Sequence, residues 1–475
     1  MVDTQGSNVG DCGRTIVDMG FLNVGERSER TKTERLQAAL RDAIRSGRLH
    51  PGDRLPSSRR FATDIGSARN VVVDAYEQLI AEGYLDAHVG RGTTVQARPE
   101  RPHTDVATGP ASIVPAPVID LSPGLPDLAA FPFREWRRAL NHALNTVTVN
   151  DLGYTDQNSP KLRHEIAHYL NRTRAADTDP DHVFITTGVS AGLGLIARTL
   201  NRHQRATIAV DDPGAYSQRN ALIAAGVDVR SLPIERADYL DKIEEVDAVV
   251  VTPAHQYPLG GVMSPDQRTA LVRWANAQPR RLIVEDDYDA EFRYGNRPVG
   301  SIQGIAPHVV ALTSSVSKIL APALRIGWIA APPSLVDDLI AQTNAEFGAP
   351  DNIQQNALAE LIRNGDYERI VKARARSYRE RQHTLSACIE ATAGCCVSGQ
   401  AGGIHLTILL PEHLDDTIVS SKLAAKGIRV PPLSDYRSKP GPPGLVVSYA
   451  GAGHHALRTF AAALADTLEH KTTPA

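Results

Sequence analysis

The chain has 475 residues, 42% apolar and 22% charged, with a net charge of −3 and a mean hydropathy of −0.24. That length calls for two or more domains, and the balance of residues is that of a soluble globular protein, which excludes a disordered chain and a multi-span membrane protein. No run approaches the roughly 18 uninterrupted apolar residues that cross a bilayer. The opening MVDTQGSNVGDCG lacks the charged-then-apolar layout of a secretion signal. Four cysteines, Cys12, Cys388, Cys395 and Cys396, are too few for a disulfide scaffold, so a cytoplasmic protein without a membrane partner is expected.

After a flexible tail over 1–24, residues 25–97 read as a small basic domain. Between Glu26 and Arg98 there are 13 lysines and arginines against 10 acids, a net of +3, which leaves −6 on the rest of the chain. Leu36, Leu40 and Ile44 repeat at helical spacing, and Gly47 supplies a left-handed stop. Ser57 or Ser58 can cap a short second helix, SRRFATDI. A third helix is predicted from about Ala68 to Glu82, with Val72, Ala75, Tyr76 and Leu79 as its apolar stripe. Two β-prone stretches, Tyr84–Ala87 and Thr93–Gln96, flank Gly90-Arg91-Gly92. Three helices followed by a glycine-tipped hairpin make a winged helix-turn-helix.

In that architecture the second helix of the motif enters the major groove, and its first residues meet base edges. Here they are Arg69 and Asn70, types that pair bidentately with guanine and adenine. Arg59 opens the preceding helix, where its charge and the free N–H groups suit a phosphate. Arg91, beside Gly90 at the wing tip, is shaped to enter a minor groove.

The stretch LRDAIRSGRLHPGDRLPSSRRFATDIGSARNVVVDAYEQLIAEGYLDAHVGRGTTV resembles the GntR-type winged helix, with LPSSR, AYEQL, EGYL and GRGT in place. One departure is Ala68, where members often carry a hydroxyl.

A proline-rich linker over 98–118 follows. Residues 119–475 then alternate apolar runs with helical segments. The runs lie at His182–Thr187, Thr207–Val210, Ala248–Val251, Arg281–Val284, Val309–Leu312 and Ile326–Ala330. Short Val- and Ile-rich strands alternating with helices predict a largely parallel α/β sheet. From about Asp351 a long polar helix, HLTILL, another helix and LVVSYA predict a smaller α+β lobe.

The large lobe carries the chemistry. Lys318, in TSSVSKILAPALRIGW, falls just past a strand, where lost hydration depresses an amine pKa and favours Schiff-base formation with an aldehyde. Ser315, Ser317 and Arg325 around it suit a phosphate. In RLIVEDDYDAEF a carboxylate ends a buried strand and needs a cationic partner. Pyridoxal phosphate offers one in its ring nitrogen. Strand alternation puts Asp286 and Tyr288 on one side, facing that nitrogen and the phenolic oxygen, with Asp287 opposite. In ITTGVSAGLGLI the N–H groups of Gly188, Val189 and Ser190 open a helix and can cradle phosphate. DDPGAYSQR offers Tyr216 as a ring-stacking group, and Tyr154 precedes an amphipathic helix.

In this order the pieces resemble fold-type I aminotransferases over almost all of 119–475. With the winged helix in front, the whole chain resembles the MocR branch of the GntR family, whose aminotransferase-like domain binds pyridoxal phosphate and senses effectors. The resemblance implies Lys318 as the Schiff-base lysine, Asp286 on the ring nitrogen and Tyr288 on the phenolate. It gives Ser315, Arg325 and the Gly188–Ser190 turn to the phosphate. It also implies a homodimer in which Tyr154 reaches the neighbour's phosphate. Operator DNA is the expected macromolecular partner, with RNA polymerase as a further one.

Three departures bear on function. The carboxylate-clamping Arg of catalytic members falls at Val446 in GLVVSYAG. The Asn of their NPTG is replaced by Tyr257 or His255 in TPAHQYPLGG, and their stacking aromatic falls at Ala215. A retained cofactor cup without a substrate clamp resembles PdxR-type regulators, which control pyridoxal phosphate synthesis. The alternatives are a working aminotransferase with a DNA-binding passenger, a MocR-type regulator sensing an amino-acid-like effector, and a DNA-binding protein whose Lys318 holds nothing.

Overall fold

A computed structural model of the chain describes residues 31–88, 92–96, 119–153, 159–202, 205–234, 243–294, 300–346 and 351–469. The expected tail 1–24 and linker 98–118 lie outside them, as do Gly90, Arg91 and Tyr154. The chain divides into two compact units, 1–114 and 115–475.

In the first unit, α1 (Lys32–Arg45) begins with a capping box in which Thr31 and Glu34 satisfy each other's backbone N–H groups. Then follow α2 (Ser58–Asp64), capped by Ser57, and α3 (Arg69–Ala81). A two-stranded wing, β1 (Leu85–His88) and β2 (Gly92–Val95), completes the unit. Leu36, Leu40, Phe61, Val72 and Leu79 form its core. Arg41 spans from α1 to Glu82 just past α3 at 2.6–2.7 Å, which holds the Glu82 carboxyl down at about 2.

The second unit opens with β3 (Ile119–Asp120), α4 (Phe133–Thr146) and α5 (Pro160–Arg174). Strands and helices then alternate: β4 (Val183–Thr186), α6 (Val189–Asn201), β5 (Thr207–Asp212), α7 (Tyr216–Ala224), β6 (Asp228–Pro233), β7 (Ala248–Val251), α8 (Pro265–Asn276), β8 (Leu282–Asp286), β9 (Val310–Ser315), β10 (Gly327–Ala330) and α9 (Val336–Glu346). They build a seven-stranded sheet in the order β4-β10-β9-β8-β7-β5-β6. Neighbours from β9 to β6 are parallel, and β10 runs antiparallel to both β9 and β4. β6 was not among the apolar runs because it is an edge strand with alternating exposure, DVRSLP. β9 outlasts its apolar run by three residues: the buried hydroxyls of Thr313 and Ser314 donate to the carbonyls of Glu285 and Asp287, so polar side chains continue the strand at little cost.

The smaller lobe holds α10 (Asn352–Arg363), α11 (Asp366–Glu390), β11 (Cys396–Ser398), β12 (His405–Leu409), α12 (Asp416–Ala425), β13 (Ile428–Arg429), β14 (Gly444–Ser448) and α13 (His454–Glu469). The long polar helix expected from Asp351 is thus two helices, parted at Asn364-Gly365. β11, β12 and β14 form an antiparallel sheet, and β13 pairs with β3, fastening the start of the unit to this lobe. Among the described residues no helix is long and apolar enough to cross a membrane.

Candidate cofactor cavity and nucleic-acid interface

Open α/β sheets bind ligands outside the carboxyl ends of their strands, and here β4, β8 and β9 all end at one cavity of ≈ 260 Å³. It brings together Lys318, Asp286, Tyr288, Tyr257, Val189, Ser190 and Tyr216. Asp286 is the last residue of β8 and Lys318 follows β9 by three residues. Ser315 accepts a hydrogen bond from the Ser317 N–H and so shapes the turn that presents the lysine. The Lys318 ammonium donates to the Gly124 carbonyl at 2.7 Å. Burial lowers its pKa, against the opposing pull of Asp286 and Asp289.

Asp286 and Asp287 turn to opposite sides of the sheet. Asp286 Oδ2 accepts from Gln218 Nε2, while its buried Oδ1 has no hydrogen-bond partner among the described residues. Burial, reinforced by the charge of Asp287, pushes the Asp286 carboxyl up to about 7. An orphaned carboxylate oxygen beside a desolvated amine suits a ligand that offers both a basic nitrogen and an aldehyde.

Tyr288 stands behind this pair, with its hydroxyl 3.0 Å from His255 Nδ1, which is also 3.0 Å from Asp289 Oδ2. His255 therefore supports Tyr288 from outside the lining, whereas Tyr257 belongs to the lining and packs edge-on against Tyr288 and Tyr436. Ser315, Ser317, Arg325 and Gly188 flank the cavity without lining it. The exposed Arg325 lies beside Gly188, its guanidinium 3.8 Å from where a Cβ there would be. Gly188 caps α6 with φ 111°, and Gly327 packs so closely that its own Cβ would lie 2.8 Å from the Gly188 Cα. Tyr216 sits at the cavity's mouth, 62% exposed.

The structure adds residues that the motifs left unmarked. Gln218 lies one helical turn beyond Ala215 on the same side, which its spacing alone would have revealed. His405 and Tyr436 come from the small lobe. A histidine inside the apolar run IHLTILL was the available signal for the former.

On the first unit, Arg59 is the second residue of α2, and Arg69 and Asn70 are the first two of α3. All three are exposed, and neither arginine side chain has an ion pair or hydrogen bond among the described residues. Asn70 Oδ1 accepts from the Val71 N–H at 3.0 Å, so its amide must turn before both ends can meet adenine. Arg54, which the sequence did not single out, packs against Gly92, which opens β2 at the turn end of the wing.

The model of the bacterial regulatory proteins of the gntR family matches residues 32–95. That of class I and II aminotransferases matches 116–464. The chain is 32% identical over 439 residues to the HTH-type pyridoxine biosynthesis transcriptional regulator PdxR of Corynebacterium glutamicum, covering 91% of this chain and 95% of that one. It is 30% identical over 453 residues to the probable rhizopine catabolism regulatory protein MocR of Rhizobium meliloti, covering 89% and 91%. The chain belongs to the MocR-type transcriptional regulators of the GntR family.

In this MocR-type regulator the winged helix is the DNA-binding domain, and the second unit has the fold-type I aminotransferase architecture. Solved structures similar to it include the multiple substrate aminotransferase of Thermococcus profundus (TM-score 0.66, 24% identity, 74% of this chain and 91% of that one). The kynurenine aminotransferase of Pyrococcus horikoshii is another (TM-score 0.67, 22% identity, 76% and 93%). At these identities the likeness establishes the regulator's fold.

Proposed function

We propose that this regulator binds pyridoxal phosphate in the cavity and changes its hold on operator DNA in response, thereby controlling synthesis of the cofactor. The observation that carries the proposal is the meeting of the desolvated Lys318 amine with the orphaned Asp286 carboxylate on one cavity wall. When bound, pyridoxal phosphate supplies an aldehyde that an amine can capture reversibly and a ring nitrogen that takes up a proton. Lys318 would hold the aldehyde carbon. Asp286, braced by Gln218, would keep the proton on the ring nitrogen. Tyr288, held by His255, and Tyr257 would face the phenolic oxygen. Gly188, Val189, Ser190, Ser315, Ser317 and Arg325 would take the phosphate, and Tyr216 would cover the ring from the mouth.

The name of the Corynebacterium glutamicum relative, a pyridoxine biosynthesis regulator, supports this reading. So does the lining itself: among its described residues Lys318 is the only cation, so a substrate carboxylate has no arginine there. The regulator acts in the cytoplasm as a homodimer, completing each site with Tyr154 of the second copy. The exposed apolar side chains of Phe133, Leu144, Val149 and Leu152, on and just after α4, support that pairing. RNA polymerase is a further partner.

The test is an absorbance spectrum of the purified chain with pyridoxal phosphate, borohydride reduction, and peptide mass spectrometry, followed by an operator shift assay with and without cofactor. An adduct on Lys318 and cofactor-dependent DNA affinity are expected. No adduct, or identical affinity in both conditions, overturns the reading. Amino acids that convert the bound cofactor with turnover would instead indicate a working aminotransferase.

A further inference from the structure

The outer face of α3 carries more than the two residues at its start. Val72, Ala75, Tyr76 and Leu79 are buried against the rest of the winged helix. At 3.6 residues per turn, the side opposite that stripe is occupied by Asn70, Asp74, Glu77 and Ala81. All four are exposed. Neither carboxylate makes an ion pair or a side-chain hydrogen bond among the described residues. Two unneutralised acids therefore face outward on the helix that a winged helix-turn-helix lays in the major groove.

A carboxylate brought against DNA is repelled by the phosphates, and only a donor on a base edge offsets that cost. The major groove offers two amino donors, N4 of cytosine and N6 of adenine. Adenine sets its N7 acceptor beside N6, which repels a carboxylate, whereas cytosine has no acceptor on its own major-groove edge. Depth separates the two acids, because the N-terminal end of the helix is the part that meets the bases. Asp74 lies one turn behind Asn70, about 6 Å along the axis, and Glu77 lies about 10 Å behind it. Base pairs are spaced by about 3.4 Å. A helix seated with Asn70 on a base edge thus brings Asp74 to a pair no more than about two steps away.

We propose that Asp74 is a specificity-determining residue of this regulator's DNA reading, accepting a hydrogen bond from the N4 amine of a cytosine close to the base that Asn70 meets. Glu77, a further turn back, faces the groove without reaching a base and weakens every sequence alike. The assignment concerns the first unit and holds whatever the second unit binds.

The test is selection of duplexes from a random pool by the full chain, with and without pyridoxal phosphate, in the parent and in Asn70→Ala, Asp74→Ala, Asp74→Asn and Glu77→Gln. Competition binding with the parent's selected duplex then measures each preference. Exchanging the cytosine is expected to cost the parent about tenfold. In Asp74→Ala the same exchange should cost less than about twofold, while unrelated duplex binds more tightly because a negative charge has left the groove face. Asp74→Asn should turn the selected cytosine into adenine, the partner of a carboxamide. Glu77→Gln should tighten all duplexes and leave the preference as it is. Binding of unrelated duplex at least as tight as the parent's shows that each variant is folded. The proposal is overturned if the parent's selected sites hold no cytosine whose preference Asp74→Ala removes. It is equally overturned if Asp74→Ala relaxes the same base as Asn70→Ala, since the aspartate would then be a support for that amide.

Discussion

Arg174, the last residue of α5, clasps Asp287 through two hydrogen bonds of 2.6 and 2.9 Å, both side chains being almost fully buried. This pair anchors β8 from the side opposite the cavity and so fixes the direction in which Asp286 points. Arg174→Met leaves the Asp287 carboxylate buried without its partner, which costs about 3–5 kcal/mol. Urea unfolding should show that loss, and adding Asp287→Leu should recover much of it. A single variant as stable as the parent would contradict the anchoring role.

Asp286 sets a pH dependence. Its carboxyl is held at about 7 in the folded chain, against about 4 when unfolded. Between those values the folded state binds more protons, so this group imposes no penalty below pH ~4 and a growing one as pH rises to 7. Glu285 and Glu291, raised mainly by burial and next by Asp287, act in the same direction. Asp286→Asn should make the cofactor-free protein more stable at pH 8 and flatten its stability between pH 4 and 7. Urea midpoints at stepped pH measure both, and a steeper slope in the variant would refute the assignment.

Gly403 lies against the His255–Asp289 pair with φ 71°, and a Cβ there would collide with both side chains. Gly403→Ala should therefore displace His255 from Tyr288, lowering pyridoxal phosphate affinity by about tenfold or more and reducing thermal stability. A spectral titration with the cofactor reads the first effect directly.

Ala68 occupies the N-cap of α3 with extended backbone angles and makes no side-chain cap. Ala68→Ser adds the missing acceptor for a free N–H and should stabilise the winged helix by about 1 kcal/mol. The readout is the unfolding transition of the first unit within the full chain. No gain would mean that those N–H groups are already satisfied.

Arg69 and Arg59 should separate by salt dependence. Arg69→Ala is expected to cost about 1–3 kcal/mol and to relax preference at one base pair, whereas Arg59→Ala should weaken all sequences alike and reduce the salt slope by about one. Competition binding at several salt concentrations distinguishes the two patterns.

Much of this arrangement was legible in the residues. Lys318, Asp286 and Tyr288 could be placed because two short buried strands fix where their ends fall and strand alternation fixes which side chains share a face. Arg59, Arg69 and Asn70 followed from helix starts marked by Ser57 and the Gly66-Ser67 break. Gln218 carries no motif of its own, and only its place one helical turn after Ala215 puts it on the cavity side of α7. β6 is not legible in the sequence, because an edge strand has no continuous apolar run. The two helices behind Asp351 merged because polar residues keep helical spacing across the break at Gly365.

Local sequence determined what depends on neighbours within a few residues: the helix caps, the strand cores, the lysine turn and the acidic strand end. Only the tertiary structure decided that β10 runs antiparallel between β9 and β4, that Arg174 holds Asp287, and that His405 joins the cavity from a strand 87 residues beyond Lys318. Those contacts link segments far apart in the chain, and their energies come from burial and desolvation. Neither exists until the lobes have packed.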